Sequence, residues 1–194
     1  MITKDVLTNL YIERGFSMKR IAIELNCSVH RVEYWMRKYM LKRRSRSEAL
    51  YHHYHPDGHP FSKHRIRTIE DATLYGLGIG LYWGEGTKRN RHSVRLGNSD
   101  PALIRTFMQF LETCFGVNIS ELRFGLQLFT DIEPIKALLY WREALNISED
   151  QFYKPHITVS GSLGTYRQKS LYGVITLYYN NSRLRDILVS ELPQ

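Results

Sequence analysis

Residues 74–88 read LYGLGIGLYWGEGTK, an apolar run with five glycines and one carboxylate, Glu85, close to its end. Gly76, Gly80 and Gly84 recur every four residues, so a helix would line them along one stripe. Each glycine inside a helix costs about 1 kcal/mol relative to alanine, so three on one face need a compensating cause. The commonest cause is a second backbone packed closer than any side chain would permit. If that partner is a second copy of the same helix, two Glu85 carboxylates meet at one point and make a metal site by symmetry. Gly76, Gly80 and Gly84 are therefore the candidate dimer interface. A dinucleotide-binding loop built on Gly76, Gly78 and Gly80 fails on spacing, and no strand precedes the run.

Downstream the pattern becomes that of a mixed domain. Within 92–98, Val94 and Leu96 point one way while Ser93, Arg95 and Gly97 point the other. A helix starts at Asp100 or Pro101, with Ser99 or Asp100 as its cap. Its buried face is Leu103, Ile104, Phe107, Phe110, Leu111 and Cys114, and Gly116 ends it. Residues 121–129 alternate again, with Leu122, Phe124, Leu126 and Leu128 opposite Arg123, Gly125 and Gln127. A helix over 132–145 closes at Asn146, short strands follow at 155–160 and 171–180 around the loop 161–164, and a last helix covers 182–192. This order predicts an α+β chain in which helices cover one face of a sheet. The other face would expose Ser93, Arg95, Arg123, Gln127, Lys154, His156, Thr176 and Tyr178. These are residue types that read DNA, arginine to guanine and glutamine to adenine. Read blandly, they are the wet face of an ordinary antiparallel sheet.

Residues 78–86 (GIGLYWGEG) resemble the LAGLIDADG motif of homing endonucleases, with Gly80 and Gly84 at the small positions and Glu85-Gly86 at the acidic end. The Ser99-Asp100-Pro101 turn, the Tyr172-Gly173-Val174 entry into a strand and Asn181-Ser182 before the last helix extend the resemblance over about 70–192. It implies a saddle-shaped antiparallel sheet on double-stranded DNA. It also implies a homodimer acting on a roughly palindromic site, because a second such run is absent from the sequence. The acidic ends of the paired helices would hold Mg²⁺ or Mn²⁺, with Glu85 as ligand and catalytic carboxylate and the Gly86 carbonyl as a further ligand. Family enzymes also use a lysine, for which Lys154 is the first candidate and Lys169 the second. Gly97 falls where some relatives carry a glutamine. The alternative is a transcriptional regulator on the same scaffold that has lost cleavage.

The charge distribution supports a polyanion partner. The formal net charge is +8, and residues 1–67 hold all of it, with 14 Lys/Arg against 6 Asp/Glu; residues 68–194 balance at 13 against 13. In that first third, helices fit residues 4–14, 18–25 and 29–39, with Gly15 ending the first, Ser17 and Ser28 as caps and Asn26 in a tight left-handed turn. The stretch resembles the short helix-turn-helix modules of resolvases and transposases and makes 1–45 a DNA-binding domain. Its third helix packs on Val29, Val32, Trp35 and Met36 and offers His30, Arg31, Tyr34, Arg37 and Lys38 outward. Lys42, Arg43, Arg44 and Arg46 extend the same basic track. Residues 46–69 read as a basic linker with five nearby histidines, His52, His53, His55, His59 and His64, and no cysteine or carboxylate cluster to complete a zinc site. Residues 70–194 form the second domain.

Neither class of membrane protein nor a secreted disulfide scaffold fits. The longest apolar run is too short to span a bilayer, the first residues lack a signal core, and Cys27 and Cys114 stand alone. The expected setting is cytoplasmic, prokaryotic or phage-encoded, at the nucleoid.

Overall fold

The computed structural model describes residues 1–56, 58–159 and 170–193. Lys169 and the loop 161–164 lie outside them. The chain divides into two compact units, Met1–Pro60 and Phe61–Gln194.

In the first unit, α1 (Lys4–Leu7) runs on into a wider π-helical turn (Thr8–Glu13), followed by α2 (Met18–Glu24) and α3 (Val29–Lys38). Local chemistry sets each boundary. Gly15 takes φ 66° and Asn26 φ 45°, the left-handed region that glycine and asparagine tolerate. The Ser17 and Ser28 hydroxyls accept from the Arg20 and Arg31 amides, 3.2 Å each. Leu7, Leu10, Tyr11, Ile21, Val32 and Met36 close the core between the three helices. Val29 remains exposed, so only part of the expected α3 face is core. Residues 46–54, read as linker, instead form α4 (Arg46–Tyr54). A capping box between Ser45 and Glu48 starts this helix, a short-range signal that outweighs its missing apolar stripe.

The second unit opens with α5 (Ile69–Glu85), capped by a Thr68–Asp71 box. The Arg67 and Thr68 amides that Asp71 accepts hold its carboxyl below the usual range. β1 (Val94–Asn98), α6 (Pro101–Phe115), β2 (Arg123–Phe129), α7 (Pro134–Leu145), β3 (His156–Thr158), β4 (Val174–Tyr179) and α8 (Ser182–Ser190) follow. The unit is α+β, with strand order β1-β4-β2-β3. The sheet is mixed, which corrects the all-antiparallel expectation: β1 and β2 flank β4 antiparallel, while β3 adds to β2 in parallel. The reason is the α7 crossover between β2 and β3, which returns the chain in the same direction. Leu96, Leu177, Phe124 and Leu126 line the covered face and pack with Ile104, Phe107, Phe110 and Leu111 of α6 and Trp141 of α7.

The glycines of α5 divide into two sets. Gly78 faces α6, where a Cβ would lie 2.1 Å from the Phe110 ring, and a Cβ on Gly86 would meet Tyr82 at 2.4 Å. Around Gly76, Gly80 and Gly84 the same atom meets nothing within 4 Å. Tyr82 is fully buried and stacks on Phe107 at 6.0 Å, and its hydroxyl has no hydrogen-bond partner among the described residues. Burial pushes that phenol up from its ordinary pKa.

Gly78→Ala should therefore destabilise the second unit by about 3 kcal/mol, since the Phe110 ring has to move. Tyr82→Phe should be neutral or stabilising by up to ~1 kcal/mol, because it removes a buried unpaired hydroxyl. Urea titrations followed by circular dichroism measure both.

Candidate nucleic-acid interface

Strand register sorts the uncovered sheet face into rows. Arg95, Tyr178 and Arg123 are directly paired across β1, β4 and β2. The next row is Gly97, Thr176 and Gly125, and the third joins Val174, Gln127 and His156. Six of the expected sheet-face residues thus share one face. The Arg95 guanidinium lies 5.2 Å from the Tyr178 ring and its Nε donates to Ser93 Oγ at 2.9 Å. Arg123 Nη1 donates to the Ser120 and Leu122 carbonyls at 2.8 and 2.9 Å. Tyr153 meets the Tyr178 ring edge-on at 5.5 Å. Ser93 is buried beside Arg95 and is not exposed as expected; its hydroxyl donates to Asn90 Oδ1 at 3.2 Å.

The glycines of the middle row make room for their neighbours. A Cβ on Gly97 would come within 3.0 Å of Thr176 Oγ1, and one on Gly125 within 3.1 Å of Tyr178 Cε2. The Thr176 hydroxyl and the Tyr178 ring take that space, between an arginine row and a Gln/His row. Gly86 bridges Leu96 antiparallel, and the Thr87 amide donates to the Arg95 carbonyl at 2.9 Å. Glu85, the last residue of α5, directly precedes this bridge and so sits beside the β1 edge of the sheet. Glu85 is exposed and makes no ion pair among the described residues. Gly86 is buried, and its N–H donates to the Tyr82 carbonyl at 3.0 Å. The residue is glycine for lack of room beside Tyr82, not for an unusual backbone angle (φ −72°).

Lys154 is not brought to Glu85. Gly86, Leu96, Leu177, Phe124 and Phe152 form one row across the sheet, with Glu85 beside its first member and Lys154 two residues beyond its last. Four inter-strand steps of about 4.8 Å separate the ends, roughly 19 Å. The basic groups at the Glu85 end are Lys88, Arg89 and Arg91, which the sequence reading passed over although the run KRNR follows the glycine helix directly. Lys88 Nζ donates to the Trp83 carbonyl at 2.6 Å and satisfies the last turn of α5. Arg185 in turn donates to the Lys88 carbonyl.

In the first unit, His30, Arg31, Tyr34, Arg37 and Lys38 are all exposed on α3. Glu33 pairs with Arg37 at 3.6 Å and with Arg43 at 3.5 Å, and Lys38 lies 4.8 Å from the Trp35 ring. Arg44 is otherwise engaged. Its guanidinium donates to the carbonyls of Gly15 (2.8 Å) and Phe16 and lies 4.2 Å from the Tyr11 ring, while its amide donates to the Tyr11 hydroxyl at 2.8 Å. It serves the end of the first helix and is withdrawn from the basic track.

No described helix is long and apolar enough to cross a membrane, and no group of three or more His, Cys, Asp or Glu is gathered among the described residues. Comparison with protein-family models, curated proteins and solved structures finds no match to this chain.

Arg44→Ala should cost the first unit about 2–3 kcal/mol, because two carbonyls and a ring lose one shared cation. Arg31→Ala and Arg37→Ala should stay within about 0.5 kcal/mol. Thermal unfolding of the three variants separates the structural arginine from the available ones.

Proposed function

We propose that this chain is a site-specific, double-stranded DNA-binding protein that works as a homodimer and cuts both strands, with Glu85 as the metal-holding carboxylate. One observation carries the reading. The outer face of α5 is uncharged from Ala72 to Gly84, with Leu77 and Trp83 exposed among the three open glycines, and it ends at the margin of the arginine-bearing sheet face. A helix face of that kind, about 20 Å long, is costly to leave in water, and glycines without neighbours leave room for a second backbone. Pairing two copies through Gly76, Gly80 and Gly84 would set two sheet faces side by side as one saddle.

Each residue then has a task. Arg95 and Arg123 neutralise phosphates, and Gln127 and His156 read base edges across the Gly97–Thr176–Gly125 row. In the first unit α2 and α3 act as a helix-turn-helix, with His30, Arg31, Tyr34, Arg37 and Lys38 toward the major groove and Arg43 toward the backbone. One Glu85 is too few donors for a cation, whereas two copies plus phosphate oxygens make the all-oxygen set that suits Mg²⁺ or Mn²⁺. Such an ion supplies Lewis-acid activation of the phosphodiester and of water. Lys88 is the basic residue placed to hold a proton or a phosphate oxygen beside Glu85.

A regulator without cleavage is the second reading, favoured by the single carboxylate and the distance of Lys154. Selection of cleaved and bound targets from a DNA library with Mg²⁺ separates the two. The nuclease reading expects cleavage that Glu85→Gln abolishes while the footprint stays. A footprint without cleavage in either protein establishes the regulator, and no footprint at all overturns both. Gly80→Arg should convert the dimer to a folded monomer in sedimentation and weaken target binding at least tenfold.

A further inference from the structure

A cleft of about 680 Å³ opens in the first unit between the end of the π-helical turn, the start of α2, residues 43–46 and α4. Its lining includes Arg14, Arg20, Arg43, Arg44, Arg46 and His53, and no acidic residue among those described. The volume is that of a small-molecule site, and its walls are cationic. The geometry points to a binding site for a compact polyphosphate anion, such as pyrophosphate or the phosphate chain of a nucleotide.

Three features support that ligand chemistry. Two guanidinium groups are held in place by the protein: Arg14 and Arg20 lie 4.9 and 4.0 Å from the Phe16 ring. Fixed planar guanidinium groups bind phosphate oxygens in pairs with little loss of side-chain freedom. Second, the described lining holds no carboxylate, and Glu33, which pairs with Arg43, lies on α3 outside it. Third, so many cations around one concavity exceed what a single phosphodiester neutralises, whereas a polyphosphate concentrates several charges in that space. The outer residues of α3 contribute nothing to the lining, so a duplex lying on α3 does not need the cleft.

Titration calorimetry of the full chain with pyrophosphate tests the site, with sulfate at matched ionic strength as control. Saturable pyrophosphate binding is expected, weakened at least tenfold by Arg46→Ala and by Arg14→Ala and unchanged by Arg31→Ala. In parallel, Arg14→Ala should leave duplex affinity within twofold. Protection of the wild-type arginines from phenylglyoxal by pyrophosphate gives a readout independent of any variant's folding. Absence of both heat and protection, equal binding of sulfate, or an equal loss in Arg31→Ala overturns the proposal. Loss of duplex affinity in Arg14→Ala matching the loss for pyrophosphate also overturns it and makes the cleft a seat for DNA backbone.

Discussion

The contact of the Gly78 backbone with the Phe110 ring governs the second unit. It brings α5 onto α6 closer than any side chain would allow and fixes the rotation of α5 about its axis. With Gly78 and Tyr82 turned inward, Gly76, Gly80 and Gly84 turn outward as a consequence of 3.6 residues per turn. The same rotation brings Gly86 against Tyr82 and into its bridge with Leu96, which delivers Glu85 to the sheet edge. In a run of glycines that would weaken an isolated helix, Gly78 and Gly86 thus answer a demand of packing inside the unit.

Element boundaries were legible where a short-range signal acts. Ser17, Asn26, Ser28, Pro101, Gly116, Asn146 and Asn181 each do in the structure what their type predicts, because caps and left-handed turns depend on one or two neighbours. The alternation in β1 and β2 likewise identified the covered face, since a pleat admits only two sides. Helix α4 was missed because it has no buried face to leave a period, although its Ser45–Glu48 box was present to be read.

The candidate site was less legible, for a physical reason. Which residues share a row depends on strand order and register, and these are set by the long-range packing of α6 and α7 on the sheet. Lys154 and Glu85 are both plausible as chemical types, yet only the five-membered row from Gly86 to Phe152 reveals how far apart they sit. Arg44 offers the same lesson in the first unit. Its neighbours in sequence are exposed cations, and nothing local announces that the carbonyls of Gly15 and Phe16, nearly thirty residues earlier, claim it.

The paired glycines of the sheet also limit how the molecule is able to diverge. At Gly97 and Gly125 any larger residue pushes on Thr176 or Tyr178, so substitution there disturbs a neighbour. Gln127 and His156 stand exposed in the flanking row. Descendants of this chain would accumulate their changes there first, around a central strip held by its own packing.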